Sequence, residues 1–405
     1  MLLFLLIFLL PSQLTYHFWP SWSLINGIRS DYLSPTLYLT DLIILGLMIF
    51  SSITPRPPLP AKLLHLRGGV RRTRVIFIIF VVLNIFFSTN PLVSVYKWLR
   101  VYEYYWLFKY LVKNVQYSVF SIRFGLSLAI IWTSILAWSQ FIMQHSIGGL
   151  WYWLGERTFS ISTPGIAKLF LDLRILNLGF ILRPYATMPH PNALAGFLLV
   201  SSLIILNFEN QFKIKNLKFK ITHLSLMAAL LTIPLTFSKS AILIEVGLII
   251  FWLVKKFNKL FLILFLVPII LYFYLPSSPN SIPERIVLNQ KAIETIKNNP
   301  VFGVGLGNSV SLLPSLRQPT HNIFLLLASE LGLPVVLIIG YLIIKNLLKI
   351  KNFSRSASES SILKIAILVV IATGMADHYW LTLHQNILLL VVLLALVKIQ
   401  SYDHE

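Results

Sequence analysis

Long apolar runs recur from one end of this chain to the other, separated by short polar stretches. A water-soluble domain has nowhere to hide them. Ordinary chains are about half apolar and a quarter charged, whereas this one is 57% hydrophobic and only 12% charged. The pattern predicts an all-α, polytopic integral membrane protein; the alternation of an outer-membrane barrel is absent. Candidate spans fall at 2–11, 37–53, 75–90, 98–112, 124–143, 190–207, 223–237, 240–254, 260–275, 321–344, 362–377 and 385–399, about twelve transmembrane helices in a single domain over 1–405. The stretch 223–254 divides at Thr232-Ile233-Pro234 and Ser238-Lys239-Ser240, because a lysine at the centre of one long span is costly.

The net charge of +20 fits cytoplasmic loops enriched in Lys and Arg better than nucleic-acid binding, since no basic segment carries interleaved aromatics. The 54–74 loop holds Arg56, Lys62, Arg67, Arg71, Arg72 and Arg74 without an acid, and the connections at 208–222, 255–259 and 345–361 are Lys-rich. Both termini are therefore expected in the cytoplasm, with the loops at 144–189 and 276–320 facing outward. Met1 to Leu10 lack a basic start and a small-residue cleavage site, so a retained first helix is expected. In the second outer loop, Ser281-Ile282-Pro283-Glu284 has the form of a capping box. It predicts a surface helix near 283–298, stopped by Asn299-Pro300, with a tight turn at Gly303, Gly305 and Gly307.

Two polar strings stand where apolar runs begin. One is Leu182-Arg183-Pro184-Tyr185-Ala186-Thr187-Met188-Pro189-His190-Pro191-Asn192, the other Thr320-His321-Asn322. A guanidinium is always charged and forks onto phosphate oxygens. A lone interfacial Arg ordinarily just snorkels; Thr187, His190 and Asn192 within nine residues of Arg183 favour a site. Thr320 can act as a cap, yet a helix N-terminus also attracts an anion, and an imidazole there can accept a proton near neutral pH. Lys239 suits either a phosphate contact or an interfacial anchor. Arg285 and Arg317 bracket the outer loop and could serve likewise. Glu330 reads as a structural partner for a buried cation, and Arg100 with Glu103 as an internal i,i+3 pair. His145, His223 and His384 have no evident partners in the sequence.

The absences narrow the chemistry. No HExxH, Walker loop, dinucleotide fingerprint or paired Asp at an outer helix end is present, and a divalent metal needs hard oxygen ligands that the outward loops scarcely supply. No cysteine is available for disulfides, thiolate metal sites or a Cys nucleophile. Neither a metal nor a cofactor is expected.

The chain resembles the O-antigen ligase/O-antigen polymerase family of bacterial envelope glycosyltransferases. The resemblance lies in Arg183 to Asn192, in Thr236-Phe237-Ser238-Lys239-Ser240, and from Arg285 through Asn299-Pro300-Val301-Phe302-Gly303-Val304-Gly305 to His321-Asn322 and Glu330-Leu331-Gly332. It implies the multi-helix, GT-C-like architecture of polyprenyl-dependent glycosyltransferases in the cytoplasmic membrane. It further implies metal-independent, inverting transfer of a glycan from undecaprenyl diphosphate to a glycan or glycolipid acceptor at the outer face. Arg183 and Lys239 would then hold the diphosphate, assisted by Arg285, and His321 would activate the acceptor hydroxyl or orient the reacting groups; His190, Asn192, Asn322 and Arg317 complete the expected substrate-binding set. The family usually has Arg where Lys239 stands and Gly-Thr-Phe where this chain has Ala186-Thr187-Met188. Ligase and polymerase share these motifs. A transporter or flippase for an anionic lipid-linked substrate is the alternative from another class, although such proteins often show internal repeats that this chain lacks.

Overall fold

A computed structural model describes residues 1–53, 70–173, 176–208, 217–256, 281–349 and 357–402. The chain is mostly helical. Its helices are α1 (Leu2–Phe8), α2 (Leu39–Ile53), α3 (Val70–Phe86), α4 (Pro91–Met143), α5 (Pro191–Asn207), α6 (Leu217–Leu235), α7 (Lys239–Lys256), α8 (Ser281–Asn298), α9 (Ile323–Leu331), α10 (Leu333–Lys349), α11 (Ala357–Gly374), α12 (Tyr379–Thr382) and α13 (His384–Tyr402). The main apolar cluster draws on α1, α2, α4, α5, α6, α7, α11, α12 and α13, with Leu6, Leu107, Leu126, Phe197, Leu389 and Trp380 fully buried. Small residues allow the closest approaches: a Cβ on Gly196 of α5 would collide with the Tyr379 ring.

The segments between α1 and α2 and between α4 and α5 are not helical throughout: they contain three two-stranded antiparallel sheets, β1 (Thr15–His17) with β4 (Thr36–Tyr38), β2 (Leu24–Ile25) with β3 (Ile28–Arg29), and β5 (Lys168–Leu173) with β6 (Leu176–Leu182). Asn26 and Gly27 both take positive φ, 50° and 77°, at the β2–β3 turn, as tight hairpins require.

Helix ends depart from the expected spans at three places. Spans 98–112 and 124–143 are parts of one element, α4, interrupted at Asn114 (φ −116°, ψ 16°). The run 321–344 is broken at Gly332, whose φ of 86° no Cβ-bearing residue readily adopts; there Leu333 N–H donates to the Pro300 carbonyl at 2.8 Å. The run 362–377 stops at Gly374, so Asp377 lies in a turn. The division of 223–254 is present, α6 ending at Leu235 and α7 beginning at Lys239. The expected span at 260–275 and most of the Lys-rich connections lie outside the described residues.

Among the described residues, one helical stretch, Val119–Met143, is both long and apolar enough to cross a membrane; seven more apolar helices are 10–17 residues long. On α3, Val75, Ile76, Phe77, Ile78, Ile79 and Val82 are each more than half exposed. An apolar run exposed on all sides is unfavourable in water.

His384, without evident partners in the sequence, has several in the structure. It is buried at the start of α13, stacked on Tyr38 at 4.0 Å. Its Nδ1 accepts from Arg100 at 2.6 Å and from Tyr104 at 2.9 Å. Arg100 also pairs with Asp41 at 2.8 Å and, as expected, with Glu103 at 2.7 Å. This polar knot ties α2, α4 and α13 together.

Candidate functional site: a basic cluster on a buried carboxylate

Arg183 follows β6 and is fixed at both ends of its side chain. Its Nε donates to the Thr236 carbonyl at 2.7 Å, and an Nη donates to Asn192 Oδ1 at 2.6 Å. A guanidinium has five N–H donors, so about three remain for an anion. Burial lowers Arg183 to about 10, leaving it charged at neutral pH.

The backbone after Arg183 is held by Gln140, a fully buried residue near the end of α4. Gln140 Oε1 accepts from the Tyr185 and Ala186 amides at 3.0 and 2.8 Å, while its Nε2 donates to the Ala186 carbonyl and to Glu156 at 2.9 and 2.7 Å. Glu156 in turn accepts from the Ile147 and Gly148 amides. The network holds Ala186 at φ 49°, and Thr187 anchors the segment to the Pro11 carbonyl.

His190 caps α5. Its Nδ1 accepts from the Asn192 amide at 3.1 Å, which leaves the proton on Nε2 and the ring neutral. Burial, reinforced by nearby Arg183, pushes His190 down to about 3. Asn192 then turns its Nδ2 to Asp377 Oδ2 at 2.8 Å.

Asp377 is the centre of the site. Its Oδ1 accepts from His321 Nδ1 at 3.1 Å and from the His378 amide at 2.8 Å. Burial opposes its ionisation, but the His321 hydrogen bond and the surrounding imidazoles hold it well below the usual carboxylate range. The His378 ring lies 4.9 Å from that of His321 and bonds Thr382 at 2.7 Å; burial lowers it to about 4. Arg285 of α8 donates to the Ala376 carbonyl at 2.5 Å.

The structure therefore brings Arg183, His190, Asn192, His321 and Arg285 around Asp377. The remaining expected residues stand differently. Asn322 is the cap of α9, accepting from the Phe324 and Leu325 amides. Lys239 opens α7, three residues beyond the Thr236 carbonyl that binds Arg183. Arg317 sits in a left-handed turn at φ 49°, outside the hydrogen-bonded set. Glu330 accepts from the Gly307 and Ser309 amides and the Ser309 hydroxyl, and Lys97 is near enough to act on it electrostatically.

Asp377 and His378 are absent from the sequence reading. Their signal is the one the other two polar strings carry, an Asp-His pair between two apolar runs, but the expected span at 362–377 absorbed it. One donor atom each from His321, Asp377 and His378 lies within 4.8 Å of the others, close enough to share one cation. Asp377 already accepts three hydrogen bonds, however, so the trio is complete as a hydrogen-bonded network.

Residues 224–340 match the O-antigen ligase family. The matched segment carries Lys239, Arg285 and His321, in keeping with the resemblance read from the motifs; Arg183, Asn192 and Asp377 lie outside it. The O-antigen ligase family comprises glycosyltransferase-like enzymes of bacterial membranes acting on lipid-linked glycans. No curated protein matches the chain.

Proposed function

We propose that this chain is an O-antigen ligase-like glycosyltransferase of the bacterial cytoplasmic membrane, transferring a glycan from undecaprenyl diphosphate to an acceptor hydroxyl at the outer face. In this reading about twelve helices span the bilayer in a GT-C-like arrangement, with both termini in the cytoplasm. The exposed apolar faces, the Lys-rich connections and the family match over 224–340 support it. The observation that carries it is the continuous relay from a cation to an imidazole: Arg183 to Asn192 at 2.6 Å, Asn192 to Asp377 at 2.8 Å, Asp377 to His321 at 3.1 Å.

The chemistry follows from what each end of the relay can do. A diphosphate is already a good leaving group, so no covalent enzyme intermediate is needed. Because Asp377 accepts from His321 Nδ1, the lone pair of that imidazole lies on Nε2. The acceptor hydroxyl oxygen attacks the anomeric carbon, its proton passes to His321 Nε2, and the bond from that carbon to the diphosphate oxygen breaks with its electron pair leaving on the diphosphate. Arg183, with Arg285 and Lys239, stabilises the charge that grows there, and the fixed positions of both substrates supply the alignment. One displacement inverts the anomeric centre.

Purified protein given a polyprenyl-diphosphate oligosaccharide tests the reading. Product formed only on adding a second glycan acceptor identifies a ligase; a ladder from the donor alone identifies a polymerase. The rate is expected to be the same in EDTA, and activity lost to chelation and restored by Mn²⁺ would count against metal-free transfer. Vesicles that move the lipid without altering its glycan would replace the reading with transport.

A further inference from the structure

One wall of the site comes from segments that the family match does not reach. Tyr32, in the turn between β3 and β4, points its ring edge-to-face at His378 with centroids 5.7 Å apart. Its phenol makes no hydrogen bond among the described residues, although Arg157 and Asp377 both act on it electrostatically. Arg157, an exposed residue, donates to the Pro189 carbonyl, immediately before His190, at 2.9 Å and lies over the Tyr185 ring at 5.4 Å. Asp31 is exposed beside Tyr32 and close enough to act on His17 as well. His17 is stacked on Trp19 at 5.2 Å.

Aromatic rings, a free phenol, a carboxylate and a guanidinium in a continuous strip suit one kind of ligand. Sugars offer apolar C–H faces that lie against aromatic rings, and hydroxyls that need both donors and acceptors. The order of contacts also assigns which sugar. From Arg183 the relay runs through Asn192 and Asp377 to His321 and His378, and Tyr32 lies beyond His378. Phosphate chemistry belongs to the Arg183 end and proton removal to the imidazole end. A sugar beside the imidazoles, away from Arg183, is the one whose hydroxyl is deprotonated.

We infer that Tyr32, Asp31 and Arg157, continued by His17 and Trp19, form the subsite for the acceptor glycan. The assignment to the acceptor, rather than to any sugar, rests on the transferase reading above. Asp31 accepts sugar hydroxyls, Arg157 and Tyr32 donate, and the Tyr32 and Trp19 rings pack against ring faces. All five residues lie outside 224–340, so acceptor choice would be set by this chain's own segments.

The test is saturation-transfer NMR of full-length protein in nanodiscs with a panel of hexose and N-acetylhexosamine trisaccharides, alongside turnover of a polyprenyl-diphosphate oligosaccharide. At least one trisaccharide is expected to bind. Arg157→Ala, at an exposed position, and Tyr32→Phe, which keeps the ring, should each weaken it by about tenfold, the scale of one lost hydrogen bond to a charged or phenolic group. Arg183→Ala should abolish turnover and leave trisaccharide binding intact. Binding by no member of the panel, or binding that fails in Arg183→Ala but survives in Arg157→Ala and Tyr32→Phe, overturns the subsite. A wild-type protein that binds a trisaccharide at this strip but never consumes the lipid donor sinks the transferase reading alone.

Discussion

His321 and Asp377, 56 residues apart on either side of α9, α10 and α11, meet at 3.1 Å between Nδ1 and Oδ1. The carboxylate fixes the proton of the imidazole on Nδ1 and leaves the lone pair on Nε2, the same division of labour that lets a buried aspartate orient a histidine base in acyl-transfer enzymes. Asp377→Asn keeps the shape but presents an amide that can donate to Nδ1, favouring the wrong tautomer. Transfer is expected to drop about 10²- to 10⁴-fold with unchanged expression and donor affinity. Rates within a few fold of wild type would show that His321 needs no orienting carboxylate.

Arg183 is held by two hydrogen bonds diverging from one planar group, to Thr236 O and to Asn192 Oδ1. A lysine cannot make both and still present donors in a fork. Arg183→Lys is therefore predicted to fail nearly as badly as Arg183→Ala, with a loss of about 10²- to 10³-fold, even though it preserves the charge. Single-turnover rates at saturating donor measure this directly. A lysine variant close to wild type would mean that charge alone suffices.

Much of this site was legible in the chain, and what was missed was missed for a physical reason. Arg183, His190, Asn192 and His321 stand out because each is polar at the head of an apolar run, where a side chain has no packing reason to be charged. Asp377 has the same signature, but Gly374 and Ala376 are apolar enough to extend the preceding run past it. The role of Gln140 was invisible: a glutamine 43 residues before Arg183 carries no local sign that its amide will hold the Tyr185 and Ala186 backbone. The β1–β4 pairing escaped likewise, since β2 and β3 lie between the two strands and neither strand's own residue pattern names its partner.

Protonation of the buried histidines links stability to pH. His190 is pushed from 6.5 in the unfolded chain to about 3, and His378 to about 4. Between those values and 6.5 the unfolded chain binds more protons than the folded one, so stability rises with pH across that window. It is fully present above about pH 6.5 and lost as pH falls toward 4 and 3. The melting temperature in detergent is expected to fall steadily from pH 7 to pH 4. His190→Asn, which retains a capping side chain, should flatten the slope. An unchanged slope in that variant would remove His190 from the account.

Arg100 makes the last case, because its network is separate from the proposed chemistry. A guanidinium only donates, so the 2.6 Å contact from Arg100 makes His384 Nδ1 an acceptor. The imidazole proton must then sit on Nε2, facing Thr40 at 2.7 Å and Asp41 at 3.3 Å. Arg100 is thus the single cation joining Asp41 and Glu103 among the contacts described here. Arg100→Ala would strand two buried carboxylates, a change that costs about 3–5 kcal/mol where a buried pair is broken. Arg100→Met combined with Asp41→Asn and Glu103→Gln removes the charges together and should recover most of that loss, because apolar or neutral replacement of a buried ion cluster is often close to neutral. Thermal unfolding of the single and triple variants separates the two outcomes. If the triple variant is no more stable than Arg100→Ala, the cluster serves something other than holding α2, α4 and α13 together.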